Sequence, residues 1–168
     1  GYPMQNGFED VFTSTTMAAL EWGAMPYARG LIENEFSHYI RDDGLTNYRA
    51  NEVAQQCRML TILALYHSYS DGDSDSSAFL LHHFARAKAI ADWLIARRRT
   101  SLAEFAADDP RYGLIAGLDE GDSFSHVRFH QGPYPPQYWY SHIAEAYRAF
   151  TEIGQVWAEV GKAAGRAD

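Results

Sequence analysis

The stretch Arg49-Ala-Asn-Glu-Val-Ala-Gln-Gln-Cys-Arg-Met-Leu-Thr-Ile-Leu-Ala-Leu-Tyr-His-Ser-Tyr69 decides the fold. Val53, Cys57, Leu60, Leu63, Ala64 and Tyr66 recur at the three- and four-residue intervals of a helix. Apolar residues also occupy much of the circumference, and a helix with so little polar surface must be enclosed by others. The stretch therefore predicts a buried third helix in an all-α fold.

Outward from it, the same periodicity predicts a first helix over about Val11 to Trp22, with Asp10 as its N-cap. A second runs from about Pro26 to Ile40, where proline suits the first turn. A fourth spans about Ala78 to Arg99 through Leu80, Phe84, Ala87, Ile90, Ala91, Leu94 and Ile95. A fifth spans about Tyr138 to Val160, with Ile143, Tyr147, Phe150, Ile153 and Trp157 as its packing face. Trp22, Trp93 and Trp157 lie at helical spacing and read as core. Arg41-Asp-Asp-Gly44 and Ser70-Asp-Gly-Asp-Ser-Asp-Ser-Ser77 read as turns, and no strand is expected beyond short pieces in the connection before the fifth helix. Such an order predicts antiparallel helical hairpins, with the first, third and fifth helices in one layer and the second and fourth in another.

The 168 residues, 46% of them hydrophobic, suit a single domain over 1–168. A net charge of −8 without a basic stripe argues against a nucleic-acid partner, and Arg97, Arg98 and Arg99 close a helix where cations suit the dipole. No apolar run is long enough to span a membrane. The single cysteine, Cys57, excludes an internal disulfide and reads as a buried thiol.

The connection from about Ala107 to Gln137 is far longer than the few residues usual between packed helices. It is rich in Tyr112, Leu114, Ile115, Phe124, Phe129 and Tyr134, a composition unlike that of disordered chain. Asp119, Glu120 and Asp122 sit among its glycines. In the two-layer arrangement Asp10, Tyr48, Arg49, Glu52, this acidic loop and Tyr138-Trp-Tyr140 all precede or open helices of the first layer. They would share one mouth rich in carboxylates and aromatics.

Glu9-Asp-Val-Phe-Thr-Ser-Thr-Thr-Met-Ala-Ala-Leu-Glu-Trp22, Arg41-Asp-Asp-Gly44 with Tyr48-Arg49, Thr61-Ile-Leu-Ala-Leu-Tyr66 before its turn, and Tyr138-Trp-Tyr140 together resemble the six-hairpin glycosidases. The resemblance implies part of an (α/α) six-hairpin toroid, with substrate held by the loops that lead into the inner helices. It places an acidic residue before an inner helix at Asp10, an aromatic and an arginine at Tyr48 and Arg49, and the acidic loop at Asp119, Glu120 and Asp122. Twelve helices close such a ring and this chain predicts five. The reading therefore expects self-association or the remainder of a longer parent chain, about half a toroid being present.

Glycoside hydrolysis by the usual route needs two carboxyl groups astride the scissile bond. Glu120 is the first choice for the acid and Asp119 the next, with Asp10 or Glu52 opposite. The plainer reading has Asp10 capping a helix, Asp122 closing a turn and Glu52 solvated on a first helical turn. Aromatic rings cover the apolar face of a sugar, which makes Tyr48, Tyr112, Tyr134, Tyr138 and Trp139 candidate substrate contacts beside Asp122 and Arg49. Arg49 and Arg58 suit a substrate carboxylate such as that of a uronic acid. His126 and His130 are four apart but crowded by Gly121, Gly132 and Pro133, and Asp71-Gly-Asp-Ser-Asp75 lacks the later ligands of a calcium loop. No metal or cofactor is called for. The expected function is hydrolysis or binding of an oligo- or polysaccharide; the alternative is a non-catalytic helical scaffold for carbohydrate or protein partners.

Overall fold

The computed structural model describes residues 9–47, 52–118 and 137–165. Among them the chain is mostly helical: α1 (Glu9–Glu21), α2 (Met25–His38), α3 (Val53–Tyr69), α4 (Ser74–Glu104) and α5 (Tyr140–Ala163). One antiparallel pair, β1 (Ala116–Gly117) and β2 (Gln137–Tyr138), joins the two ends of the long connection. No described helix is long and apolar enough to cross a membrane.

α3 is the hub, packed against each of the other four helices. From Val53 to Ala64 only Arg58 escapes burial, and Cys57 is enclosed as expected. Its Leu60, Ile62 and Leu63 are among the most deeply buried side chains. Each such side chain contributes about 1.5–3 kcal/mol relative to exposure.

Two boundaries differ from the periodicity. α4 begins at Ser74, inside the stretch read as a turn, because Asp73 caps it: Ser76 N donates to Asp73 Oδ1 at 2.7 Å. It also runs past Arg99 to Glu104, where Ser101 Oγ donates to the carbonyl of Leu114 at 2.6 Å and ties the last turn to the returning chain. With 31 residues, α4 is about 46 Å long at 1.5 Å per residue.

α5 is rolled relative to the expected face. Its buried residues are His142, Ala146, Ala149, Ile153, Val156 and Val160, alternating spacings of four and three. Ala146 and Ala149 are small enough to let the α5 backbone approach α3, so the seam is set by small residues as well as by bulky ones. Ile143, Phe150 and Trp157 flank that seam, Trp157 meeting Phe84 of α4 at 5.3 Å, and Tyr147 is exposed. Trp22 is not core: at 88% exposure it projects from the α1–α2 turn, just past the end of α1.

α2 and α4 pair through their side chains. Arg29 meets Asp75 at 2.5 Å and covers the Phe79 ring at 4.4 Å, and Phe36 lies 5.1 Å from the His83 ring. The turn after α2 is pressed onto the α4 backbone at Gly44, whose φ of +80° and missing side chain allow the approach to Ala89 and Ile90.

Candidate functional site

Backbone pairing joins the heads of two helices. β1 and β2 pair with Ala116 opposite Tyr138 and Gly117 opposite Gln137, and Leu118 makes a parallel bridge with Glu52. The head of α3, the head of α5 and the residue preceding Asp119 are thereby brought to one end of the helical array. The first half of the connection is pinned beside them. Asp109 accepts hydrogen bonds from the backbone N–H, Nε and Nη2 of Arg111 at 2.8, 2.9 and 2.7 Å, which hold its carboxyl down to about 2. The Arg111 guanidinium lies 4.0 Å over Phe105, and Phe105 meets Tyr138 edge-on at 5.5 Å. A continuous stack thus runs from the loop to β2.

The head of α3 buries a polar group beside this pairing. Glu52, Gln55 and Gln56 are 2%, 1% and 0% exposed. Their spacing of three and four places them on one face at the head of α3. Glu52 occupies the N-cap position, but its side chain does not cap the helix. Neither amide atom of Gln56 meets a hydrogen-bond partner among the described residues, and an unsatisfied buried amide costs about 1–3 kcal/mol. His142, at the head of α5 and 1% exposed, donates its Nδ1–H to the carbonyl of Ile115 at 3.1 Å. That bond makes Nδ1 a protonated nitrogen of the ring. Leu118 pairs with the Glu52 backbone and Ile115 accepts from His142, so the short segment 115–118 ties the head of α3 to the head of α5.

Of the residues chosen from sequence, Glu52 is in this cluster and is not the solvated first-turn residue of the plainer reading. Tyr138 is half-buried on β2, Trp139 is 44% exposed just before α5, and Tyr112 is exposed on the pinned part of the loop. Asp10 falls within α1, but its side chain lies outside the described residues, as do Tyr48, Arg49, Asp119, Glu120, Asp122, Tyr134, His126 and His130. Arg58 is drawn elsewhere: its Nη2 lies 3.3 Å from Glu145 in a groove of about 220 Å³ lined by Thr13, Ser14, Thr61 and Arg148. Gln55, Gln56 and His142 were not singled out from the sequence. Two adjacent amides in an otherwise apolar helix were the available signal.

A serine–histidine pair elsewhere imitates a nucleophile and is not one. Ser76 Oγ and His67 Nδ1 are 2.9 Å apart, but the hydroxyl donates to the carbonyl of Asp73 and so accepts from His67. A histidine that donates to a hydroxyl cannot take its proton, and both residues are buried in the α4 cap. Comparison of the chain with protein-family models, curated proteins and solved structures finds no match.

Proposed function

We propose that the chain is a carbohydrate-active unit of glycosidase type, one segment of a six-hairpin ring. In this reading Glu52 at the head of α3 works against Asp119 or Glu120 across a sugar held by Tyr138, Trp139 and Tyr112. The observation that carries the proposal is the pairing of Glu52 with Leu118, which sets a buried carboxyl beside the chain one residue before the acidic pair. The aromatic stack from Arg111 to Tyr138 supports it, since flat rings beside carboxyl groups are what a pyranose requires.

The chemistry follows from the two-carboxyl rule. One group protonates the glycosidic oxygen as its bond to the anomeric carbon breaks. The other either attacks that carbon from about 5–5.5 Å or activates a water across about 6.5–9.5 Å. Glu52 is enclosed, so in either role it meets the sugar only if the head of α3 opens. Glu120, with Asp119 next, keeps the role of acid and Glu52 stands opposite.

The same burial favours one second reading, a non-catalytic carbohydrate-binding scaffold in which Glu52 is structural. Incubation with a panel of oligosaccharides, read by release of reducing ends, separates the two. Catalysis predicts release that falls at least about a hundredfold in Glu52→Gln while the glycan still binds. Binding of glycan without any release of reducing ends sinks the catalytic reading and leaves the scaffold.

A further inference from the structure

Away from the mouth, α2 and α4 present a second convergent group of side chains, Glu33, His82 and His83. Their ligating atoms all lie within 4.8 Å of one another. Glu33 Oε2 is 3.1 Å from His83 Nε2, and Glu33 Oε1 is 3.9 Å from His82 Nε2. Successive helical side chains diverge by about 100°, so neighbouring histidines do not ordinarily meet around one point. Here their rings stand 4.8 Å apart, and each presents Nε2 to a carboxylate delivered from the facing helix.

We propose that Glu33, His82 and His83 form a binding site for a first-row divalent transition ion of the zinc class, joining α2 to α4. Two imidazoles and a carboxylate form a borderline nitrogen–oxygen donor set of the kind zinc accepts, leaving at least one position for water. Ligands at zinc–nitrogen and zinc–oxygen distances of about 2.0–2.1 Å stand about 3.3 Å apart in a tetrahedron. The two contacts across the helices, at 3.1 and 3.9 Å, bracket that value but run to different carboxylate oxygens, and the three ligating atoms lie within 4.8 Å of one another, so side-chain rotation brings them onto one ion.

The supports of the three ligands are already in place. Ser37 Oγ donates to Glu33 Oε1 at 2.8 Å, fixing the carboxylate and holding its pKa down. The His83 ring packs edge-on to Phe79 at 4.6 Å and against Phe36 at 5.1 Å, which restricts its orientation. His82 is the exposed member and leaves the site open to ions from solvent. Outer contacts of this sort orient ligands and raise affinity by about 10–100-fold.

Isothermal titration calorimetry of the whole chain with Zn²⁺, read together with the visible spectrum of the Co²⁺ form, tests the site. The expected result is one ion per chain and a melting temperature raised by about 5 to 10 °C at a hundredfold excess over Kd. His82→Ala and Glu33→Gln, both at exposed or half-exposed positions and so tolerable to the fold, should each weaken binding at least about tenfold. A double His126→Ala, His130→Ala variant should leave affinity unchanged. Absence of micromolar binding, unchanged affinity in the first two variants, or loss of binding in the double variant overturns the proposal.

Discussion

Gly44 offers a direct probe of how the α2–α3 connection seats on α4. A methyl added there would lie 2.7 Å from the carbonyl oxygen of Ala89 and closer still to Ala89 C and Ile90 N, all backbone atoms in the middle of a long helix. Backbone in a packed helix does not swing aside as a flexible side chain does. The φ of +80° adds a strain of about 1–2 kcal/mol for any residue with a Cβ, and forcing the turn off α4 adds about 1–3 kcal/mol of overpacking. Gly44→Ala should therefore cost about 2–5 kcal/mol. Gly23→Ala is the internal control: its φ is +71°, but nothing lies within 4 Å of the new methyl, so only the conformational strain of about 1–2 kcal/mol applies. Urea denaturation followed by far-ultraviolet circular dichroism gives both values. In a chain of this size each kcal/mol also moves the melting temperature by about 2–4 °C. If Gly44→Ala is no more destabilising than Gly23→Ala, the turn does not rest on α4 and the reasoning fails.

Three further outcomes test other parts of the molecule. Ile153→Ala, at the centre of the α5 seam and 1% exposed, should cost about 2–5 kcal/mol; a loss below 1 kcal/mol on the order of surface substitutions would mean that α5 is not packed on α3 as described. The depressed pKa of His83 makes the unfolded chain the better proton acceptor below its unperturbed value near 6.5. Stability should therefore fall as pH drops through that value, among the neighbouring charges Glu33, His82 and Arg86. His83→Gln should flatten this slope in urea midpoints measured at pH 7.5 and 5.5 on the order of one unit either side of the transition, and an unchanged slope would remove His83 as its source. Gln56→Met should stabilise the fold by about 1 kcal/mol, since it replaces a buried unpartnered amide by an apolar group of similar volume, and a loss of stability would show that the amide is satisfied.

The helices and the burial of α3 were legible in the sequence because periodicity reports burial directly, as at Leu60 and Leu63. The start of α4 was less so, because it depends on one capping aspartate, Asp73, inside a run of residues that also build turns. The rolled face of α5 escaped the reading for a physical reason. Counting large apolar residues selects Tyr147 and Phe150, whereas a close helix pair is set as much by what permits approach, here Ala146 and Ala149. Trp22 shows the same limit in reverse, since helical spacing continues arithmetically past the point where the helix and its neighbours end. The pairing of Glu52 with Leu118 could not be read from pattern at all, because it joins segments far apart in sequence through backbone groups that every residue carries.

The polar residues at the head of α3 are the most specific departure from what folding alone requires. A helix enclosed on nearly every side is most stable with apolar residues throughout, yet its first turns bury Glu52, Gln55 and Gln56. Local choices that oppose the global fold are expected where another task governs the residue. The remaining turns of α3, with Leu60, Ile62 and Leu63, supply the packing that lets the head tolerate such groups. The same end receives Leu118 and the β1–β2 pair, at the point from which the acidic loop departs. The position of these polar residues at that junction is the physical reason for seeking the chemistry of this chain at the head of α3 rather than in the grooves between α4 and α5, whose linings around Ile95, Phe150 and Trp157 are mostly apolar.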